Sequence, residues 1–89
     1  MEMKVEDYIE QLEFKGFSFG EDARGFIFFG KEYTGASDTM VNAAIEKTLK
    51  VQKKFDGSFY VSFLEMMKQN QIDTRKKALQ FAEQYNLFV

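Results

Sequence analysis

The chain has 89 residues, with 12 Lys and Arg against 14 Asp and Glu, and a formal net charge of −2. It contains no Cys, His, Pro or Trp, but 11 Phe and 4 Tyr. That length holds one domain, residues 1–89, with one small core, and the missing residue types remove thiol nucleophiles, disulfides, imidazole bases and zinc-finger ligand sets.

Residues 4–15 read as an amphipathic helix. Val5, Tyr8, Ile9 and Leu12 recur at i, i+3, i+4 and i+7, and Gly16 suits a left-handed C-terminal stop. The run GFSFGEDARGFIFFGKEYTG follows. Alternation at Phe17/Phe19 and Phe26/Phe28 predicts two short strands around a turn at Gly20–Gly25, with a third near Glu32–Thr34. Ile27 and Phe29 make the second strand apolar on its other face as well, so either helices cover both faces or Ile27 and Phe29 form an apolar interface that awaits a partner.

Ser37 or Asp38 caps a long helix ending near Phe55, with Val41, Ala44, Ile45, Thr48, Leu49 and Gln52 on one face. Asp56-Gly57 punctuates the chain, and Ser58 can cap a helix carrying Phe59, Phe63, Met66 and Met67. Asp-Gly between VQKKF and SFYVSF is also a hairpin signal. Helices are preferred there, because FLEMMKQNQ lacks β alternation and is rich in helix formers. After a break at Asn70–Asp73, Asp73 or Thr74 caps a last helix with Ala78, Leu79, Phe81, Ala82 and Tyr85 on its face. The tail Leu87-Phe88-Val89 is expected to pack back on the core. The order α-β-β-α-α-α predicts an α+β fold, a small antiparallel β-hairpin or short sheet packed with three to four helices.

No run of about 18 apolar residues occurs, so no membrane-spanning helix is expected. The start MEMKVEDYIEQLE is unlike a signal peptide. Absence of Cys fits a reducing compartment, and the expected location is the cytoplasm.

Charge is unevenly spread. Residues 1–45 carry nine acids and four bases, net −5; residues 46–89 carry five acids and eight bases, net +3. On the first helix Glu6, Glu10 and Glu13 follow one another at i, i+4 and i+7, with Glu2 a turn earlier. They repel one another and no Lys lies four residues downstream, which marks an acidic docking face. Lys47, Lys50 and Lys54, with Lys53 beside them, form a lysine stripe on the long helix. Arg75, Lys76 and Lys77 occupy the first turn of the last helix, where cations oppose the macrodipole and a bound phosphate would relieve them. Lys47, Lys50, Lys54, Arg75, Lys76 and Lys77 are the candidates for binding a partner or nucleic acid. The break at Asn70–Thr74 gives a helix-turn-helix layout, although only Gln80 and Gln84 on the last helix suit base reading.

Other chemistry finds no support. Gly30–Ser37 resembles a phosphate-binding loop, but Ala36 stands where that loop needs its Lys. No Ser lies in an SxxK or GxSxG setting. No cofactor, metal site or catalytic residue is expected. The element order of the first half is similar to small RNA-binding folds such as the HicA-type toxins, which rely on a catalytic His that this chain lacks; the likeness carries no motif and no residue role.

The expectation is therefore a non-enzymatic regulator that binds a protein, itself or another, through a charge-bipolar surface. A homodimer is its simplest form. A nucleic-acid-binding regulator is the alternative. The Phe- and Lys-rich, Pro-free composition suggests a phage or mobile-element origin.

Overall fold

The structure is a computed structural model, and it describes residues 3–84. Among these, five helices run in chain order: α1 (Val5–Phe14), α2 (Glu21–Thr34), α3 (Asp38–Gln52), α4 (Gly57–Gln69) and α5 (Arg75–Gln84). No strand occurs among the described residues, so the expected α+β fold with a β-hairpin is overturned in favour of an all-helical one. The likeness in element order to the HicA-type toxins goes with it.

The two expected strands divide differently. Phe17 and Phe19 lie in the link between α1 and α2, while Phe26 and Phe28 lie within α2, as does Glu32–Thr34. The physical reason is a second periodicity in the same residues. Ala23, Ile27, Gly30 and Thr34 fall at i, i+4, i+7 and i+11, and Ile27 and Gly30 are buried. Gly20, expected in a turn, is the N-cap in extended conformation, and Glu21 and Asp22 sit where the macrodipole favours acids. Gly35 closes the helix at φ 69°, its N–H donating to Lys31 O. Gly30–Ser37 is thus the last turn and cap of a helix, not a loop between strand and helix.

The remaining boundaries follow side-chain chemistry. Gly16 at φ 110° follows α1, and the N–H groups of Gly16 and Phe17 donate to Glu13 O and Leu12 O, the paired bonds of a Schellman stop. Ser37 caps α3, accepting from Met40 N–H. Asp56, rather than Ser58, caps α4 and accepts from Phe59 N–H at 3.0 Å. The break at Asp56-Gly57 therefore separates two helices and not two strands. Thr74 Oγ1 accepts from Lys77 N–H at the start of α5. Tyr85, Asn86 and the tail Leu87-Phe88-Val89 lie outside the described residues, as do Glu2 and the side chains of Ala82 and Gln84.

α4 ends in a second Schellman stop, with Gln71 N–H donating to Lys68 O and Ile72 N–H to Met67 O. Here the left-handed position holds Gln71, at φ 56°. Non-glycine residues pay about 1 kcal/mol for that conformation. Gln71→Gly is therefore expected to raise stability by about 0.5–1 kcal/mol, read as a higher urea midpoint with an unchanged slope; a lower midpoint would contradict it.

α3 sits at the centre, packed against all four other helices. Val41, Ala44, Ile45 and Thr48 on it are fully buried, and the Thr48 hydroxyl donates to Ala44 O. Val5 and Ile9 of α1, Ile27 of α2, and Tyr60, Leu64 and Met67 of α4 complete the core. The link residue Phe19 packs edge-on to Phe55, which contacts Tyr60 in turn. α2 packs on α4 through a glycine. Gly30 lies under the Tyr60 ring, whose hydroxyl donates to Ile27 O at 2.7 Å.

Candidate functional site

Several of the charged residues pair with one another inside the chain. Glu46, on α3, is the hub. Arg75 of α5 grips it with both prongs, Nε to Oε1 at 2.9 Å and Nη2 to Oε2 at 2.7 Å. Lys50, one turn along α3, lies 3.3 Å from Oε2. Burial pushes the Glu46 carboxyl upward, but the hydrogen bonds and charges of Arg75 and Lys50 outweigh it and hold the group below the usual carboxylate range. Tyr8 of α1 shares a groove with Glu46 and Arg75. Burial, and then the Glu46 charge, push its phenol up to about 12.

The sign of the Glu46 effect is clear. A carboxyl whose folded pKa is depressed adds stability above its unfolded value, about 4.3, and loses it as pH falls through the folded one. Glu46→Gln should therefore be less stable than wild type near neutrality. The gap should close as pH drops from about 5 to 3, seen in thermal unfolding across a pH series. A gap that persists unchanged at the acid end would contradict this.

The other predicted residues are placed as follows. Glu13 takes Arg24 of α2, whose Nη2 is 2.8 Å from both carboxylate oxygens. Glu6 and Glu10 are exposed on α1. The acidic helix thus meets a base from α2 rather than the basic C-terminal half. Lys77 lies 3.7 Å from Asp73, and Lys76 is exposed. Lys47 is half-buried, and α3 ends at Gln52 with Lys53 in the left-handed region, so Lys54 lies beyond the helix rather than on a continuous stripe. Arg75 and Lys50 come together on Glu46; Lys54 is not brought to them by the helix. Ile27 is fully buried and belongs to the core, which corrects its place in an apolar interface; Phe29 is exposed.

The outer side of α2 is different in kind. Phe26, Phe29 and Tyr33 are 46%, 59% and 65% exposed. They stand at i, i+3 and i+7, so they form one stripe along the helix. Phe29 and Tyr33 stack at 5.6 Å. Asp22, a turn before Phe26, extends the stripe to spacing 4-3-4, the alternation of a helix-pairing seam. Asp22, Gly25, Phe26 and Phe29 surround a hollow of about 360 Å³, together with Glu21. Phe29 is legible in the sequence as a surface candidate, while Phe26 and Tyr33 are legible as surface only through their helical spacing with it.

Among the described residues no group of three or more Asp or Glu is placed to hold a metal ion, and no helix is long and apolar enough to cross a membrane. The chain matches the model of a family of unknown function, DUF6123, over residues 1–88. It belongs to that family. No curated protein matches the chain. No solved structure matches it either.

Proposed function

We propose that this DUF6123 protein acts by binding another protein chain, and that the outer face of α2 is where it binds. The observation that carries this is the aromatic stripe Phe26, Phe29 and Tyr33, exposed on one helix face. Water meets rings there that would normally lie in a core, and contiguous apolar surface of this kind marks contact sites. Aromatics are also the residues that anchor protein interfaces. Charge plays the secondary role of orientation. The acids Glu21 and Asp22 stand at one end of the stripe, and steering by such groups sets partner choice more than strength.

The basic residues give weaker support for nucleic acid. Arg75 and Lys50 share the carboxylate of Glu46, and Lys77 lies near Asp73, so part of their charge is already offset within the chain. The reading includes a cytoplasmic site of action, which the Cys-free composition supports.

The test is photo-crosslinking in the source cell, with benzoylphenylalanine at position 29, at position 76 and, as a control, at exposed Ser62 of α4. Adducts from position 29 that are destroyed by protease and absent at 62 are expected. No adduct at 29, or nuclease-sensitive adducts from 76, would overturn the proposal.

A further inference from the structure

We propose that the occupant of this face is a second copy of the same chain, with α2 packed antiparallel on α2 about a twofold axis. This rests on the reading of α2 as the contact face, and it adds the partner's identity and register.

Three features of α2 support it. The first is shape. In helix pairing a side chain knob enters a hole formed by four residues of the facing helix at i, i+3, i+4 and i+7. Asp22, Gly25, Phe26 and Phe29 are such a set, and the hollow they line is open. Phe29, exposed on the stripe, is the matching knob. Setting Phe26 opposite Phe29 of the partner subunit also sets Asp22 opposite Tyr33 of the partner subunit. The seam is then self-complementary, as a twofold interface requires.

The second is Gly25. It lies mid-helix, where glycine weakens a helix relative to alanine. A β-carbon added there would meet nothing within 4 Å in the same chain. Its monomer therefore gives no steric reason for glycine, whereas the approach of a second helix over the hollow does. Gly30 is the contrast, since Tyr60 explains it within the chain.

The third is charge. Glu21 and Asp22 stand at the N-terminal end of the stripe. At the other end Tyr33 shares a groove with Lys68 and Glu65 of α4, and Lys68 Nζ is 3.9 Å from where a Gly35 β-carbon would be. Lys68 is exposed, while Glu65 is half-buried. Antiparallel pairing brings each Asp22 to the Tyr33 hydroxyl and Lys68 of the partner subunit, at both ends at once. It also opposes the two helix dipoles favourably.

The area is in proportion. Aromatic side chains carry about 150–250 Å² each, so three rings near half exposure leave roughly 300 Å² per copy. Two copies supply roughly 600 Å² from rings alone, about half of the 1,200 Å² or so at which specific interfaces begin. A dimer through this face needs its flanking residues to supply the rest, and its affinity is not set by area alone.

Sedimentation equilibrium of the full chain tests this over a concentration series through the micromolar range. A monomer–dimer equilibrium is expected. Gly25→Gln starts from a β-carbon that meets nothing within 4 Å and adds bulk beside the hollow, so it should leave a monomer whose thermal midpoint is unchanged or raised. Asp22→Lys alone and Lys68→Glu alone should each weaken the dimer several-fold. An equimolar mixture of those two variants should dimerise again, because each end then pairs Lys with Asp or Glu. A wild-type chain that stays monomeric throughout, or a dimer indifferent to Gly25→Gln, overturns the proposal. If crosslinks from position 29 then run to a different protein, the contact face stands and only the second-copy assignment falls; if there are none, both fall.

Discussion

Replacing Gly30 by alanine is expected to destabilise the protein by about 2 kcal/mol, although the same change in an open helix would stabilise it by about 1 kcal/mol. The added methyl would lie 2.8 Å from Tyr60 Cε2 and 3.3 Å from Leu64 Cδ2. Both neighbours belong to fully buried side chains, and the Tyr60 hydroxyl is fastened to Ile27 O. The ring cannot turn aside without losing that bond, so α2 and α4 must separate. Overpacking of this kind costs about 1–3 kcal/mol, and the rigid surroundings place Gly30 at the upper end before the helix gain is subtracted. A fall of roughly 10 °C in thermal midpoint is expected for a chain of this size. Gly57 is the comparison. A β-carbon there would lie 2.7, 2.8 and 2.9 Å from Cγ, Cδ2 and Cδ1 of the Phe26 ring, the near end of that side chain, so the whole ring must shift. Gly57→Ala should therefore destabilise the protein as well, and an unchanged thermal midpoint at either site would contradict these contacts.

Tyr60→Ala should be the most damaging single change, at about 3–5 kcal/mol. Tyr60 is fully buried, contacts Phe55, and covers Gly30. A domain of 89 residues has roughly 4–13 kcal/mol in total, so this variant would stand near the edge of folding. Tyr60→Phe keeps the packing and loses one hydrogen bond, about 1 kcal/mol. Urea unfolding of both variants separates shape from polarity. The double variant gives a sharper outcome. With the ring gone, Gly30→Ala should turn from harmful to stabilising, a non-additivity that reports the contact directly. Burial pushes the Tyr60 phenol well above its ordinary value. The stability it supplies is present below about pH 10 and is lost as pH rises through the folded pKa. Tyr60→Phe should therefore show a shallower decline in alkali.

Four of the five helices were legible in the sequence because each carries a polar side against which the apolar side can be read. α1 shows Val5, Ile9 and Leu12 against Glu6 and Glu10, and α4 and α5 have clear breaks before them. α2 was read as strands because the run from Phe26 to Phe29 is apolar on all sides. Inward Ile27 and outward Phe26 and Phe29 leave no polar reference, and Gly25 and Gly30 imitate turn signals. The question raised by Ile27 and Phe29, whether a partner covers one face, survived the change of secondary structure. Its answer is split, with Ile27 inside and Phe29 outside. The charged clusters were legible as charges but not as pairs. Glu46 joins Arg75 across 29 positions in sequence, a contact that no local spacing announces, whereas its link to Lys50 is a plain i,i+4 pair.

The central place of α3 has a consequence for how the molecule comes apart. α1 and α5 rest chiefly on α3, while α2, α3 and α4 also hold one another. Partial opening should therefore release the outer helices first and leave the inner three as the last cooperative unit, in the way that proteins exchange amide hydrogens through stepwise sub-global openings. Glu46 binds Arg75 of one outer helix and lies in the same groove as Tyr8 of the other. Protonating that one carboxylate loosens the Arg75 end of the chain first, and leaves the aromatic face of α2 in place on the part that opens last.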